Sequence, residues 1–402
     1  MKSIIKALFK NLNITKNECK IVSNNFYKRL EVGGGSMSLI IGEAYMADEF
    51  RSKDLVSFFR KVMTVDNFNN HIFSTLTSNP ISSIKLLSNI VINDLQTQII
   101  DTIQNNQSIQ LSKKVGEQHY DIPDILYEYM LDSQRQYTCG YWKPDTKTLE
   151  EAQQNKIKLL IDKLQIPDDV EMNILDIGCG WGGLTNAISK RYPKCKVVGI
   201  TISKEQIKVA NEKYGSKKLK YIFCDYRDLP NKQTKYDRII SVGMFEHVGV
   251  KNYDIFFKCC NDILTDDGIF VLHTITNPIQ PKYLNGTEKF TCDEWIDKYI
   301  FPGGYIPTTE SILTSIVREG LMYHHIQNLS VSYAKTLQEW YNNFKLNWKT
   351  IQKSNPSFFT KEFYNMWEFY LLCSMVLYET KQMYLTQFVL TKKKYDGMYI
   401  FT

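Results

Sequence analysis

The residues with the plainest chemical reading lie in LDIGCGWGGL, residues 175–184. Gly178, Gly180 and Gly183 satisfy the spacing G-x-G-x-x-G, which lets a loop between a strand and a helix bring backbone close to a ligand. Asp176 stands at the strand end just before the first glycine, where a carboxylate would face an incoming pyrophosphate. The next apolar run ends in Thr201, at the position where a nicotinamide dinucleotide site has a ribose-binding acid. Both details count against a dinucleotide. A carboxylate beside a glycine loop suits a cation, and S-adenosyl-L-methionine carries an ammonium and a sulfonium. The competing reading is structural, since an Asp ahead of a helix also serves as a cap.

Such a loop needs a sheet to hold it. From about residue 150 the chain alternates between apolar runs and helical spacing. MNILDIG (172–178), KVVGIT (196–201), KYIFC (220–224), RIISVG (238–243) and GIFVLHT (268–274) read as buried strands. The pattern predicts a parallel sheet covered by helices with right-handed crossovers. EEAQQNKIKLLIDKL has helical spacing, and the long helical segment 364–384 is followed by LTQFVL, which reads as a closing strand. Upstream, DLVSFFRKVM (54–63) and residues 80–103 are helical patterns. VGGGSMSLIIG (32–42) reads as a loop or tight hairpin, and the polar NNQSIQLSKK (105–114) as a linker. The expected division is an accessory domain over 1–110 and a catalytic domain over 111–402.

Composition bounds the rest. The chain has 402 residues, 43% hydrophobic and 23% charged, which excludes a disordered or fibrous protein. No apolar run reaches the about 18 residues that a membrane-spanning helix needs. The opening MKSIIKALFKNLNITKNECK is too short in its apolar part, and too interrupted by lysines, for a secretory signal. Nine cysteines without a C-x-x-C pair argue against zinc or a disulfide framework and fit a reducing cytosol. Net charge is only +6, yet residues 190–220 hold ten Lys/Arg against two Glu. That excess is either a solvated helix face or a surface drawn to anionic lipid or nucleic acid.

Taken in order, LDIGCGWGGL, VVGITISKEQ (197–206), DYRDL (225–229), SVGMFEHVG (241–249) and VLHTIT (271–276) closely resemble the cyclopropane-fatty-acyl-phospholipid synthases. YTCGYW (137–142) upstream and YIFPGGYIP (299–307) downstream belong to the same set. The resemblance covers about 115–402, and SLIIGEAYMADEF (38–50) looks like the accessory domain of full-length bacterial members. It implies a Rossmann-like α/β methyltransferase with a mostly parallel seven-stranded sheet and a small N-terminal α+β accessory domain. It also implies the activity: methylene transfer from S-adenosyl-L-methionine to a cis double bond of a phospholipid acyl chain, with a bound bicarbonate ion as the base that closes the ring.

Carried over position by position, the resemblance assigns the bicarbonate pocket to Cys139, Glu246, His273, Ile275 and Tyr333. Cys139 and Ile275 would act mainly through backbone groups. Glu246 and His273 are expected just past the fourth and fifth strands, at the carboxyl edge where such sheets bind ligands. Cofactor contacts carried over are Tyr137, Thr138, the loop from Asp176 through Gly178 and Gly180 to Gly182, Thr201, Gln206, Tyr226 and Arg227. Gln206 would take the ribose hydroxyls and Tyr226 would stack on adenine; Thr138 replaces the family's usual serine and keeps the hydroxyl. Cys373 aligns with a cysteine singled out as catalytic in the family. Methylating an alkene needs no covalent enzyme intermediate, so its expected place is the wall of the acyl pocket. Tyr137, Tyr141, Trp142, Phe245 and Tyr333 offer π faces to a cation. His119 matches a family segment without assigned chemistry.

The implied partner is a phospholipid surface with unsaturated acyl chains rather than nucleic acid. The enzyme would be cytoplasmic, peripheral to the inner face of the membrane, with a homodimer as the family's common assembly. Two other readings stay open: acyl-chain or small-amine methylation without ring closure, and a non-catalytic lipid-binding scaffold.

Overall fold

The computed structural model describes residues 2–32, 36–63, 122–278 and 293–401. The helical pattern over 80–103, the linker with its boundary near residue 110, and His119 lie outside the described residues. The chain divides into two compact units. One comprises 1–104, 285–302 and 340–382; the other comprises 105–284, 303–339 and 383–402. A single boundary near residue 110 does not reproduce this division, because two later segments join the N-terminal unit.

In that first unit, helices Lys2–Asn11, Asn25–Val32, Met37–Met46 and Leu55–Met63 accompany a two-residue antiparallel pair, β1 (Lys20–Ile21) and β2 (Phe50–Arg51). Phe26, Phe50, Phe58, Phe59, Trp295 and Phe369 are buried there. The later segments join because their aromatics complete this core: the Phe369 ring lies 4.6 Å from Trp295 and 5.0 Å from Phe59. The hairpin or loop expected at 32–42 is corrected over its described part. Ser36 caps a helix by accepting the Leu39 N–H, and MSLIIGEAYM buries Ile40, Ala44 and Tyr45. Gly42 is helical here, and a Cβ on it would lie 2.3 Å from the Trp295 ring.

The second unit is a seven-stranded sheet of β3 (Asn173–Ile177), β4 (Lys196–Thr201), β5 (Leu219–Phe223), β6 (Tyr236–Val242), β7 (Leu264–Thr276), β8 (Leu321–Asn328) and β9 (Tyr384–Lys392). Their order is β5-β4-β3-β6-β7-β9-β8. The first five run parallel, and β9 is antiparallel to both of its neighbours. This is the Rossmann-like methyltransferase sheet that the sequence predicts, with β9 as the closing strand and β8 as a strand the sequence reading did not foresee. The inner strands carry mostly apolar runs because helices cover both faces; Ile174, Leu175, Ile239, Ile240, Val271 and Leu272 are all buried. Helix Leu149–Leu164 begins at a capping box of Thr148 and Glu151 and ends at Gln165 in the left-handed region.

Candidate active site

The chain turns sharply where β3 ends. Gly178, Gly180 and Gly182 all have positive φ, and helix Gly183–Arg191 follows at once. The N–H groups of Gly178 and Cys179 both donate to the Ile200 carbonyl, at 2.8 and 3.0 Å, and that of Gly182 donates to the Cys179 carbonyl. Donors spent in this way cannot wrap a phosphate. Above Gly180 there is open space, since a Cβ there would meet nothing within 4 Å, whereas one on Gly178 would lie 2.6 Å from Met244. Asp176 is buried and accepts a 2.6 Å hydrogen bond from the Thr185 hydroxyl. Burial raises its carboxyl to about 6, with Thr185 and Lys156 pulling the other way. A buried acid beside an open backbone cradle fits the ammonium end of S-adenosyl-L-methionine.

The neighbouring strands carry the other expected cofactor residues. At the end of β4, the Thr201 hydroxyl donates to Gln206 Oε1 at 2.9 Å, and Ser203 caps the helix that bears Gln206. After β5, Arg227 folds back on buried Asp225, with Nη2 at 2.7 Å. Its guanidinium also lies over the Tyr226 ring, 5.3 Å from the centroid. Tyr226 packs edge-on against Phe256.

Residues 136–142 lie against the chain that follows β3 and β6, since a Cβ on Gly183 would lie 2.5 Å from Gln136 Nε2 and one on Gly243 would also meet Thr138. The Lys156 ammonium, itself buried, donates to Gln136 Oε1 at 2.5 Å and to Thr138 Oγ1 at 3.0 Å. Gln153 donates to the Thr138 carbonyl at 2.8 Å. The Gly140 N–H and the Trp142 indole both donate to the Thr336 hydroxyl, one turn along its helix from buried Tyr333. Burial pushes the Cys139 thiol up and out of the thiolate range, which leaves this residue its backbone. A Cβ on Gly243 would lie 2.6 Å from Thr138 Cγ2, and the Gly243 N–H donates to the His273 carbonyl at 2.9 Å. The segment with Tyr137, Thr138 and Cys139 therefore meets the end of β6, which leads into Glu246 and pairs with the strand that carries His273.

Glu246 sits in a 3-10 turn after β6. Its Oε1 accepts the Ile275 N–H at 2.7 Å, which draws the carboxyl onto β7 two residues from His273. His273 is not past its strand as expected but inside it, opposite both Val242 and Gln387, because pairing with β9 prolongs β7 to Thr276. Burial raises the Glu246 carboxyl, while burial and then the charges of Lys156 and Lys163 hold the imidazole neutral. Gln387 Nε2 donates to His273 Nδ1 at 2.9 Å. Glu246 Oε2 and His273 Nε2 are buried and have no hydrogen-bond partner among the described residues. An unmet acceptor and an unmet imidazole nitrogen, with ammonium groups nearby, fit a small hydrogen-bonding anion.

One expectation is corrected: Phe245 is wholly buried and stacks on Tyr253 at 4.7 Å, so it is core. Trp142 has the Lys335 ammonium over its ring at 4.1 Å. Cys373 belongs to the first unit, where its thiol lies 3.8 Å from Met63 Sδ and is raised by burial and by Asp293. The sequence reading missed Lys156, Lys163 and Gln387. A signal existed: the two lysines are seven residues apart, on the helical stripe that also holds Ile157, Leu160 and Leu164.

Known proteins resemble this chain in sequence and in fold. The profile of a family described as mycolic acid cyclopropane synthetase matches residues 107–388. The cyclopropane-fatty-acyl-phospholipid synthase of Escherichia coli (strain K12) is 35% identical over 386 residues, spanning 95% of this chain and 89% of that protein. A Pseudomonas putida protein named "Probable fatty acid methyltransferase" is 33% identical over 284 residues, 69% of each chain. Mycolic acid cyclopropane synthase CmaA1, crystallised with SAH and CTAB, matches with a TM-score of 0.62 at 29% identity, over 70% of this chain and 98% of that one.

Proposed function

The chain belongs to the cyclopropane synthetase family, a group of S-adenosyl-L-methionine-dependent methyltransferases, and from that premise we propose that it adds a methylene to a cis double bond of a phospholipid acyl chain, with a bicarbonate ion held as the base. The bound donor supplies a methyl group activated by its sulfonium. One alkene carbon would take the methyl as S-adenosylhomocysteine leaves, the other would become cationic, and transfer of a proton from the new methyl to the bicarbonate would close the ring.

The chain's part is to hold and orient. Asp176 takes the ammonium, with the open backbone at Gly180 leaving room beside it. Thr138, placed by Lys156 and Gln153, borders the same strand ends. Glu246 Oε2 accepts from the hydroxyl of the anion, and His273, neutral because it is buried, donates from Nε2. Tyr137 and Tyr333 remain the aromatic candidates to face the developing cation. The observation that carries this reading is the pair of buried, unmet atoms, Glu246 Oε2 and His273 Nε2.

A base that is bound rather than built in can be taken away. In bicarbonate-free buffer the wild-type enzyme should lose turnover and regain it when bicarbonate is added. Glu246→Ala should lower activity by about 10²-fold or more, the usual scale for misplacing a general base. Excess bicarbonate should restore part of it, with S-adenosylhomocysteine binding unchanged. Full wild-type turnover without bicarbonate would sink the assignment of the base. Similarity to the Pseudomonas putida protein keeps one other product in view, a methyl branch without ring closure.

A further inference from the structure

Three glutamine and histidine side chains lie in one row across the sheet. His273 on β7 is opposite Gln387 on β9, and Gln387 is opposite Gln327 on β8. Directly opposed residues project to the same face, with Cβ atoms about 4.5–5.5 Å apart. Lys163 meets that face from helix Leu149–Leu164. Its Nζ donates to Gln327 Oε1 at 2.6 Å and to Gln387 Oε1 at 2.5 Å, and lies 5.3 Å from the centroid of the Phe401 ring. Lys163, Gln387 and His273 are all buried.

These contacts have a direction. An ammonium has only N–H donors and no lone pair, so both glutamine oxygens turn toward Lys163. With Oε1 committed there, the Gln387 amide has only its NH₂ to offer His273, and Nδ1 must accept. A neutral imidazole whose Nδ1 accepts carries its proton on Nε2. A flipped amide would set NH₂ against the amine and would require a proton on Nδ1. Nε2 would then present a lone pair, which repels an anion.

We propose that Lys163, acting through the Gln387 amide and steadied by Gln327, fixes His273 as the Nε2–H tautomer and so aims a hydrogen-bond donor at the anion held by Glu246. Lys163 and Gln387 are positioning residues. The inference rests on the reading of Glu246 and His273 given above, but its test does not need turnover.

The test is the tautomer of His273 in resting enzyme labelled with ¹⁵N-histidine, read from long-range ¹H–¹⁵N correlations. The signal is assigned by its loss in His273→Asn. The expected wild-type state is neutral with the proton on Nε2. Gln387→Glu offers an acceptor to Nδ1, so it should move the proton there and lower kcat by about 10²-fold or more, the scale of a misoriented imidazole tautomer. Lys163→Met should leave a mixture of tautomers and a lowered kcat, with KM for S-adenosyl-L-methionine unchanged. A wild-type proton on Nδ1 overturns the proposal, even if a variant fails to fold. So does Lys163→Met with an undivided Nε2–H signal and full kcat. Neither result depends on whether the lipid product carries a ring, so failure here is separable from failure of the proposed reaction.

Discussion

Asp176 is held near pH 6 by the exclusion of water, and a cation that settles beside it recovers what burial costs. Its folded-state value is raised, so its contribution to stability is full below the ordinary carboxylate range and is lost as pH rises through about 6. Ligand binding runs the other way, because the ammonium needs the ionised form. Affinity for S-adenosylhomocysteine, measured by calorimetry, should therefore fall as pH drops through about 6, and Asp176→Asn should bind weakly with no such step. A flat wild-type profile across that window would remove Asp176 from the cofactor site. Asp176 was legible in the sequence because its neighbours, a strand and a glycine loop, are legible. Lys156 and Lys163 were not: a lysine on a helix ordinarily faces water, and only the finished packing around Leu160 and Leu164 encloses them.

At the scale of elements, the turn after β3 separates two jobs that glycine can do. Gly178 has φ +85° and no room beyond its Cα, since Met244 would be 2.6 Å from a new Cβ. Gly178→Ala should lower stability by about 1–3 kcal/mol, as overpacking does, and lose cofactor binding with it. Gly180 has φ +54° and open space beyond it. Gly180→Ala should cost only about 1–2 kcal/mol of backbone strain yet still weaken S-adenosylhomocysteine binding. Thermal unfolding and ligand titration of both variants check this, and equal losses of affinity and stability at Gly180 would contradict it. The parallel strands were readable because they are short apolar runs separated by stretches of helical spacing. β8 was not, because LMYHHIQN sits at the sheet edge and leaves much of its length exposed, so no apolar run marks it. The helix Met37–Met46 hid behind its glycines; Gly42 is there for the approach of Trp295, a contact between residues far apart in sequence. The helix through Cys373, Lys361–Glu379, was readable from its length alone.

For the whole molecule, the proposed acyl substrate has to be met without a membrane-crossing helix among the described residues. Part of the basic stretch 190–220 is paired in the folded chain, where Arg191, Lys194 and Lys196 have Asp168, Asp169 and Glu171 as partners. Beside its remaining lysines, Ile222 and Phe223 on the edge strand β5 are partly exposed. Charge with apolar surface suits peripheral attachment to anionic lipid better than a nucleic-acid groove. All of these proposals meet in one reaction. Enzyme incubated with methyl-labelled S-adenosyl-L-methionine and vesicles of cis-unsaturated phospholipid should move label into the acyl chain, and analysis of that chain should find a cyclopropane ring with the double bond gone. Label in a methyl branch, or no label in lipid at all, would contradict the account.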